Sequence, residues 1–244
     1  MSQNVYDRPD FFAAYSGLRR SVEGLDGAPE WPALQAMLPP MQDLRVADLG
    51  CGFGWFCRWA IDHGAASVFG VDLSEQMLAR AATFPMRGIT YQRADLSALQ
   101  LPADSFDLVF SALALHYLPD IAPLLATVHA ALVPGGRFVF STEHPIFTAP
   151  SLPGWATDEA GRRTWPIDRY LVEAARTTDW LAPGVVKYHR TIATTVNALL
   201  DGGFTLTRLH EFCPTSEQIA ARPELEQERD RPMFLLIAAR RSDE

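Results

Sequence analysis

From residue 44 onward, short apolar runs alternate with helix-length segments. The runs RVADLG, SVFGVD, ITYQRADL, FDLVFSAL and GGRFVFSTE are strand-sized, and their apolar residues are nearly continuous. That pattern suits strands covered by helices on both faces. Between them, helices are predicted through Trp59, over SEQMLARAA, and over residues 121–132. Strand and helix in repetition predict a parallel sheet wound by right-handed crossovers, an α/β doubly wound architecture. After a long interruption the alternation resumes with a helix in IATTVNALLDGG, a strand in FTLTRLHEF, a polar helical stretch and a last strand in MFLLIAAR.

Residues 1–43 mix aromatics with turn formers. Phe11, Phe12, Tyr15 and Leu18 fall at helical spacing, and a second helix over 33–38 ends at Pro39 and Pro40. The interruption at about 146–190 carries Trp155, Trp165 and Trp180 and a hairpin turned at Ala182, Pro183 and Gly184. It is too long for an ordinary connection and reads as an inserted cap or lid.

Composition narrows the classes. A chain of 244 residues with 48% apolar content can bury a large core without metal or disulfide staples. Its net charge is −8, and lysine occurs once, at Lys187, so a phosphate-backbone binder is disfavoured. No apolar run reaches the roughly 18–20 residues of a membrane helix, and the first residues lack a secretory pattern. Cys51, Cys57 and Cys213 match no zinc or disulfide spacing, and no His/Cys/Asp cluster has metal-ligand spacing. These features predict a soluble cytoplasmic protein with free thiols.

The chemistry concentrates in Val46-Ala47-Asp48-Leu49-Gly50-Cys51-Gly52-Phe53-Gly54, between a strand and a helix. Glycines there let backbone approach a ligand with no Cβ in the way. A dinucleotide fingerprint needs a third glycine at position 55, where Trp55 stands. Asp48, two positions before Gly50, is awkward beside a pyrophosphate but suits a ligand with an ammonium group and no phosphate. Asp72 ends the second strand, twenty positions beyond Gly52, where a carboxylate can hold a ribose diol. Its alternative is a place near the cap of the following helix, for which Ser74 is the better residue. Asp95 follows the third strand and can accept from an adenine amino group, or sit in a surface turn.

These residues resemble the class I S-adenosylmethionine-dependent methyltransferases, the small methyltransferases whose nucleotide loop is acidic-x-G-x-G-x-G. The similarity runs from that loop through Leu-Val-Pro-Gly-Gly-Arg at 132–137. It implies a Rossmann-like, seven-stranded, mostly parallel sheet with an antiparallel last strand, spanning 44–244, with an inserted lid after strand five. It also implies that residues 1–43 form a helical segment over the cofactor. The cofactor would be S-adenosyl-L-methionine, with Gly50, Cys51 and Gly52 at its methionine part and Asp72 at its ribose, Leu73 and Met77 beside it. Ala94, Asp95 and Leu96 would meet the adenine, and Ser111 and Leu113 the cofactor from strand four. Tyr15 with Arg19 or Arg20 would cover the methionine carboxylate, Tyr15 having core packing as its alternative. Segments at 143–145, 187–191 and 231–237 are similar to those of a bacterial subgroup whose acceptors are mostly unassigned.

Methyl transfer needs alignment and a dry setting, and a base only when the acceptor arrives protonated. The acceptor should sit beyond the carboxyl ends of the strands. Glu143, His144 and His116 are placed there as candidate catalytic groups; their alternatives are a turn cap for His116 and a bonded pair fixing the insertion. Tyr188, His189 and Arg190 are candidates for binding the acceptor, Arg190 alternatively pairing with an acid such as Glu143. The three insertion tryptophans, with Phe147 and Tyr170, form an aromatic lid or a structural core. Ser111-Ala112-Leu113-Ala114 stands where amino-methylating nucleic-acid enzymes of this fold carry an Asn/Asp-Pro-Pro-aromatic motif. The favoured reading is therefore a small-molecule acceptor. A protein side chain as acceptor, and a non-catalytic cofactor-binding module, are the alternatives. An open groove would favour the first of these over a closed aromatic pocket.

Overall fold

A computed structural model describes residues 3–242, so Met1, Ser2, Asp243 and Glu244 of the anticipated segments lie outside the described residues. Three short helices precede the sheet: α1 (Pro9–Ser16), α2 (Arg19–Val22) and α3 (Trp31–Gln35). The anticipated helix over 33–38 starts earlier because Pro32 seats in its first turn, where a missing N–H costs nothing. The core follows as β1 (Arg45–Leu49), α4 (Trp55–Asp62), β2 (Ser67–Asp72), α5 (Glu75–Ala82), β3 (Ile89–Arg93), β4 (Phe106–Ala112), α6 (Ala122–Ala131) and β5 (Leu132–Glu143). Ser74 caps α5, its Oγ accepting from the Met77 N–H at 3.1 Å.

The excursion after β5 is more regular than its sequence suggests. It holds a single turn of helix, α7 (Pro145–Thr148), a small hairpin of β6 (Ala156–Thr157) and β7 (Arg163–Thr164), and a longer one of β8 (Ala174–Thr178) and β9 (Val185–His189). The turn of that second hairpin includes Ala182, Pro183 and Gly184, as the turn residues predict. The chain closes with α8 (Ile192–Asp201), β10 (Phe204–Glu211), α9 (Ser216–Ala221) and β11 (Phe234–Arg241).

Seven strands form one sheet in the order β10-β11-β5-β4-β1-β2-β3. β1, β2, β3, β4 and β5 pair in parallel, whereas β11 runs antiparallel to both β5 and β10. The chain leaves β1 toward β2 and returns to β4 on its other side, so connections diverge between β1 and β4, which is where doubly wound sheets bind ligands.

Strand alternation explains the continuous apolar runs. Ala47, Val109, Phe138, Phe140, Leu235 and Ile237 face one side, packed against Leu124, Leu125 and Val128 of α6 and Leu199 of α8. Their neighbours Val46, Leu108, Phe110, Val139 and Leu236 face the other, against Trp31 and Leu34 of α3 and Phe56 and Ala60 of α4. A third cluster joins Val5 and Phe11 to Ala182 and Val185, so the N-terminal segment packs on the β8–β9 hairpin. Gln3 reinforces it, donating to the Gly184 carbonyl at 3.0 Å and accepting from the Val186 N–H at 2.9 Å. No helix among the described residues is long and apolar enough to cross a membrane.

Candidate functional site

A cavity of about 520 Å³ lies over the carboxyl ends of β1 and β4. Its floor is the loop after β1, its walls are the ends of β2, β4 and β5, and its roof is the N-terminal segment with Trp180 of the insertion.

Gly50 and Gly52 both have positive φ, +78° and +53°. A Cβ on Gly50 would lie 2.6 Å from the Ala114 Cβ, so glycine is needed for packing. A Cβ on Gly52 would meet no protein atom within 4 Å; the space it would enter is cavity. Asp72 braces this loop, accepting from the Gly52 N–H at 2.9 Å and the Ser74 N–H at 2.8 Å. Burial raises its pKa against those bonds. Asp48 is 2% exposed and accepts from the Cys57 thiol at 3.2 Å. Burial pushes its carboxyl up to about 7, the neighbouring Asp72 adding to the shift. A carboxylate so placed is completed by a cation.

Tyr15, Cys51, Leu73, Met77, Asp95, Leu96 and Leu113 also line the cavity. Leu113 does so with φ +56°, a left-handed conformation that carries strain in a residue with a branched side chain. Three residues anticipated at this end do not. Arg19 points outward to Glu23 at 3.0 Å, and its neighbour Arg20 lines the cavity instead. Ala94 lies behind the wall, its N–H donated to the Asp72 carbonyl. Ser111 is fully buried, and its hydroxyl ties β4 to the Leu49 carbonyl at 2.6 Å.

At the other end, Glu143 and His116 line the cavity with Tyr6, Tyr117, Phe147, Trp180, Arg231 and Phe234. Glu143 is buried against Lys187, whose ammonium sits 4.5 Å from the centre of the Trp180 ring. Burial raises the Glu143 carboxyl and the Lys187 charge pulls it back. His116 accepts the Glu143 backbone N–H on Nδ1 at 3.4 Å, and burial beside Lys187 and Arg190 holds it well below the usual histidine range. It is therefore neutral, with its ring hydrogen on Nε2.

His144 is corrected from the anticipated set. Its Nδ1 accepts from the Ile146 N–H at 3.0 Å, capping α7, and its Nε2 meets Glu211 at 2.8 Å, outside the cavity. The anticipated acceptor-binding trio is displaced as well. His189 is wedged between the Thr148 hydroxyl at 2.7 Å and the Tyr170 carbonyl at 2.8 Å. Arg190 reaches the Leu115 carbonyl at 3.4 Å, and Tyr188 alternates to the opposite face of β9. Period-two alternation turns Lys187 inward, so it, and not Arg190, pairs with Glu143. That alternation was the available signal for Lys187.

Arg231 had no such signal. It is buried, paired with Glu228, and stacked by Phe147, Trp155 and Trp165 at 4.8, 5.6 and 4.7 Å from their ring centres. Trp155 and Trp165 thus hold a guanidinium in place, while Trp180 alone of the three insertion tryptophans reaches the cavity. Arg20 is engaged by both oxygens of buried Glu30, at 3.0 and 3.2 Å.

Residues 47–140 match the methyltransferase domain family. The chain superimposes on the crystal structure of an S-adenosylmethionine-dependent methyltransferase from Mesorhizobium loti with a TM-score of 0.87 and 68% identity, covering 89% of this chain and 100% of that one. It is 32% identical to an uncharacterized protein of Haemophilus influenzae over 98% of this chain and 97% of that protein. It is 38% identical to the malonyl-[acyl-carrier protein] O-methyltransferase of Enterobacter lignolyticus over 59% of this chain and 57% of that enzyme.

Proposed function

The chain belongs to the S-adenosylmethionine-dependent methyltransferases, and from that premise we propose that it methylates a small molecule held between Glu143, Tyr117 and Trp180. S-adenosylmethionine, its cofactor, supplies an electrophilic methyl on a sulfonium sulfur. The residues present fit that group: Gly52 opens onto the cavity, and Asp48 is a buried carboxylate suited to an ammonium. The Trp55 N–H, on the cavity wall, is a buried donor with no hydrogen-bond partner.

In this reading Asp72 takes the ribose hydroxyls, Asp95 and Leu96 flank the adenine, and Arg20 with Tyr15 covers the methionine carboxylate. The protein's work is to orient both reactants and keep water out. Tyr6, Tyr117 and Trp180 form the dry side of the acceptor chamber, and the Tyr6 and Tyr117 hydroxyls pair at 3.1 Å.

The observation that carries the small-molecule reading is the roof. The N-terminal segment and the β8–β9 hairpin pack on each other above the cavity, which suits an enclosed acceptor better than a protein surface. Free Cys51, Cys57 and Cys213 support a reducing, cytoplasmic setting.

The test is thermal unfolding with S-adenosylmethionine, its demethylated product, or NAD, followed by label transfer from methyl-labelled cofactor. A ligand at 100 times its Kd adds about 2.7 kcal/mol, or roughly 5–10 °C for a chain of this size. Stabilisation by the two sulfur ligands and not NAD, with label entering the small-molecule fraction, is expected. Label entering protein instead would overturn the small-molecule acceptor.

A further inference from the structure

We infer that the acceptor is a hydrogen-bond donor at its reacting atom, an amine or a hydroxyl received by Glu143, and not a carboxylate. This rests on the methyl-transfer reading above and narrows it.

Glu143 lines the cavity with its side chain only 9% exposed. One carboxylate oxygen is taken by Lys187; the other, Oε2, is buried with no hydrogen-bond partner. A buried orphan acceptor is an exception that calls for a partner, and a ligand N–H or O–H is the group that completes it.

A ligand carboxylate would bring a second negative charge to the same place. Lys187, the cation that meets Glu143 directly, is already paired with its other oxygen. Like charges share a dry site only when one is protonated. The malonyl group named for the Enterobacter relative carries such a carboxylate, so this chamber is built for a different acceptor.

The other candidate bases are spent. His144 uses Nδ1 on the Ile146 N–H and Nε2 on Glu211. His116 uses the lone pair of Nδ1 on the Glu143 N–H, which leaves Nε2–H as a donor. Glu143 therefore receives the proton. In the step, the X–H bond of the acceptor breaks and its proton moves to Oε2. Its electron pair forms the X–CH3 bond, the sulfonium that delivers the methyl leaves as a neutral thioether, and the proton passes from Glu143 to solvent on product release. Lys187 is a positioning residue, holding Oε1 so that Oε2 stays available.

The test uses the full chain, trideuteromethyl S-adenosylmethionine and a protein-free small-molecule extract of a bacterial culture. Expected is label on oxygen or nitrogen in products stable to mild alkali. Glu143→Gln should lower the rate about a hundredfold or more, while the cofactor-induced rise in Tm is kept. Because that variant strands Lys187, the neutral pair E143Q/K187M is tested beside it and should show the same loss with the same cofactor binding. Alkali-labile label recovered as methanol, the signature of a methyl ester, overturns the inference. So does a rate in both variants within threefold of wild type, or no labelled product from an enzyme that binds the cofactor. Failure of the wild-type chain to bind cofactor at all strikes the underlying reading instead.

Discussion

Asp48→Asn should raise stability at pH 8 and weaken cofactor binding in the same protein. The carboxyl is 2% exposed, and burial moves its pKa from 3.8 to about 7. Between roughly pH 4 and 7 the folded chain keeps a proton that the unfolded chain has released, so stability falls as pH rises through that window and levels off above it. A separation of about 3 pKa units amounts to ~4 kcal/mol lost by pH 8. Asparagine has no charge to desolvate but brings a buried N–H2 that costs about 1–3 kcal/mol if unpaired. The expected net gain at pH 8 is therefore about 1–3 kcal/mol, and it should vanish or reverse at pH 5. Urea unfolding at the two pH values reads it directly. Binding should move the other way. With a pKa near 7, about one tenth of Asp48 is ionised at pH 6, so wild-type affinity should weaken about tenfold between pH 8 and pH 6. The variant should bind weakly at both. A variant less stable than wild type at pH 8, together with wild-type affinity that is flat from pH 6 to 8, would refute the reasoning.

Gly52→Ala should leave the fold within about 1–2 kcal/mol, the strain of a positive φ, because its Cβ meets no protein atom within 4 Å; calorimetric titration should show cofactor affinity cut at least tenfold, and unchanged affinity would remove the loop from the binding site. Lys187→Met strands Glu143 in a buried site and should cost about 3–5 kcal/mol once that carboxyl is ionised. Since the Glu143 pKa is raised and rises further without Lys187, the penalty should shrink as the pH is lowered, a difference that unfolding midpoints in acidic and mildly alkaline buffer would reveal. Phe138→Ala empties a site with the Phe140 ring at 4.7 Å and the Phe204 ring at 6.0 Å, and Phe138 does not line the cavity. It should cost about 3–5 kcal/mol by scanning calorimetry without changing the cofactor affinity of the folded protein.

Stability and function pull apart at this site in a way that bears on variants generally. Asp48, the unpartnered oxygen of Glu143 and the left-handed Leu113 each work against the folded state, and each lines the cavity. Packing residues such as Phe110, stacked on Phe56 with ring centres 3.6 Å apart, serve both, since that ring belongs to the core and to the cavity wall.

The sheet and the glycine loop braced by Asp72 were legible in the amino-acid sequence because their determinants are local. Strand length, alternation and glycine placement lie within a few residues of one another, and Asp72 is tied to Gly52 by one strand-helix-strand unit of fixed span. At the other end of the cavity little was legible. Whether Arg19 or Arg20 turns inward depends on how a four-residue helix docks. Whether Lys187 or Arg190 meets Glu143 depends on the phase of a strand whose partner is another piece of the insertion. Arg231 reaches its three aromatic rings only after β11 has docked beside β5 and the insertion has folded over that edge. Periodicity is written into the chain because backbone geometry repeats every two or 3.6 residues. The pairing of side chains separated by 44 positions, as in Glu143 and Lys187, is decided only when burial forces each charge to find a partner.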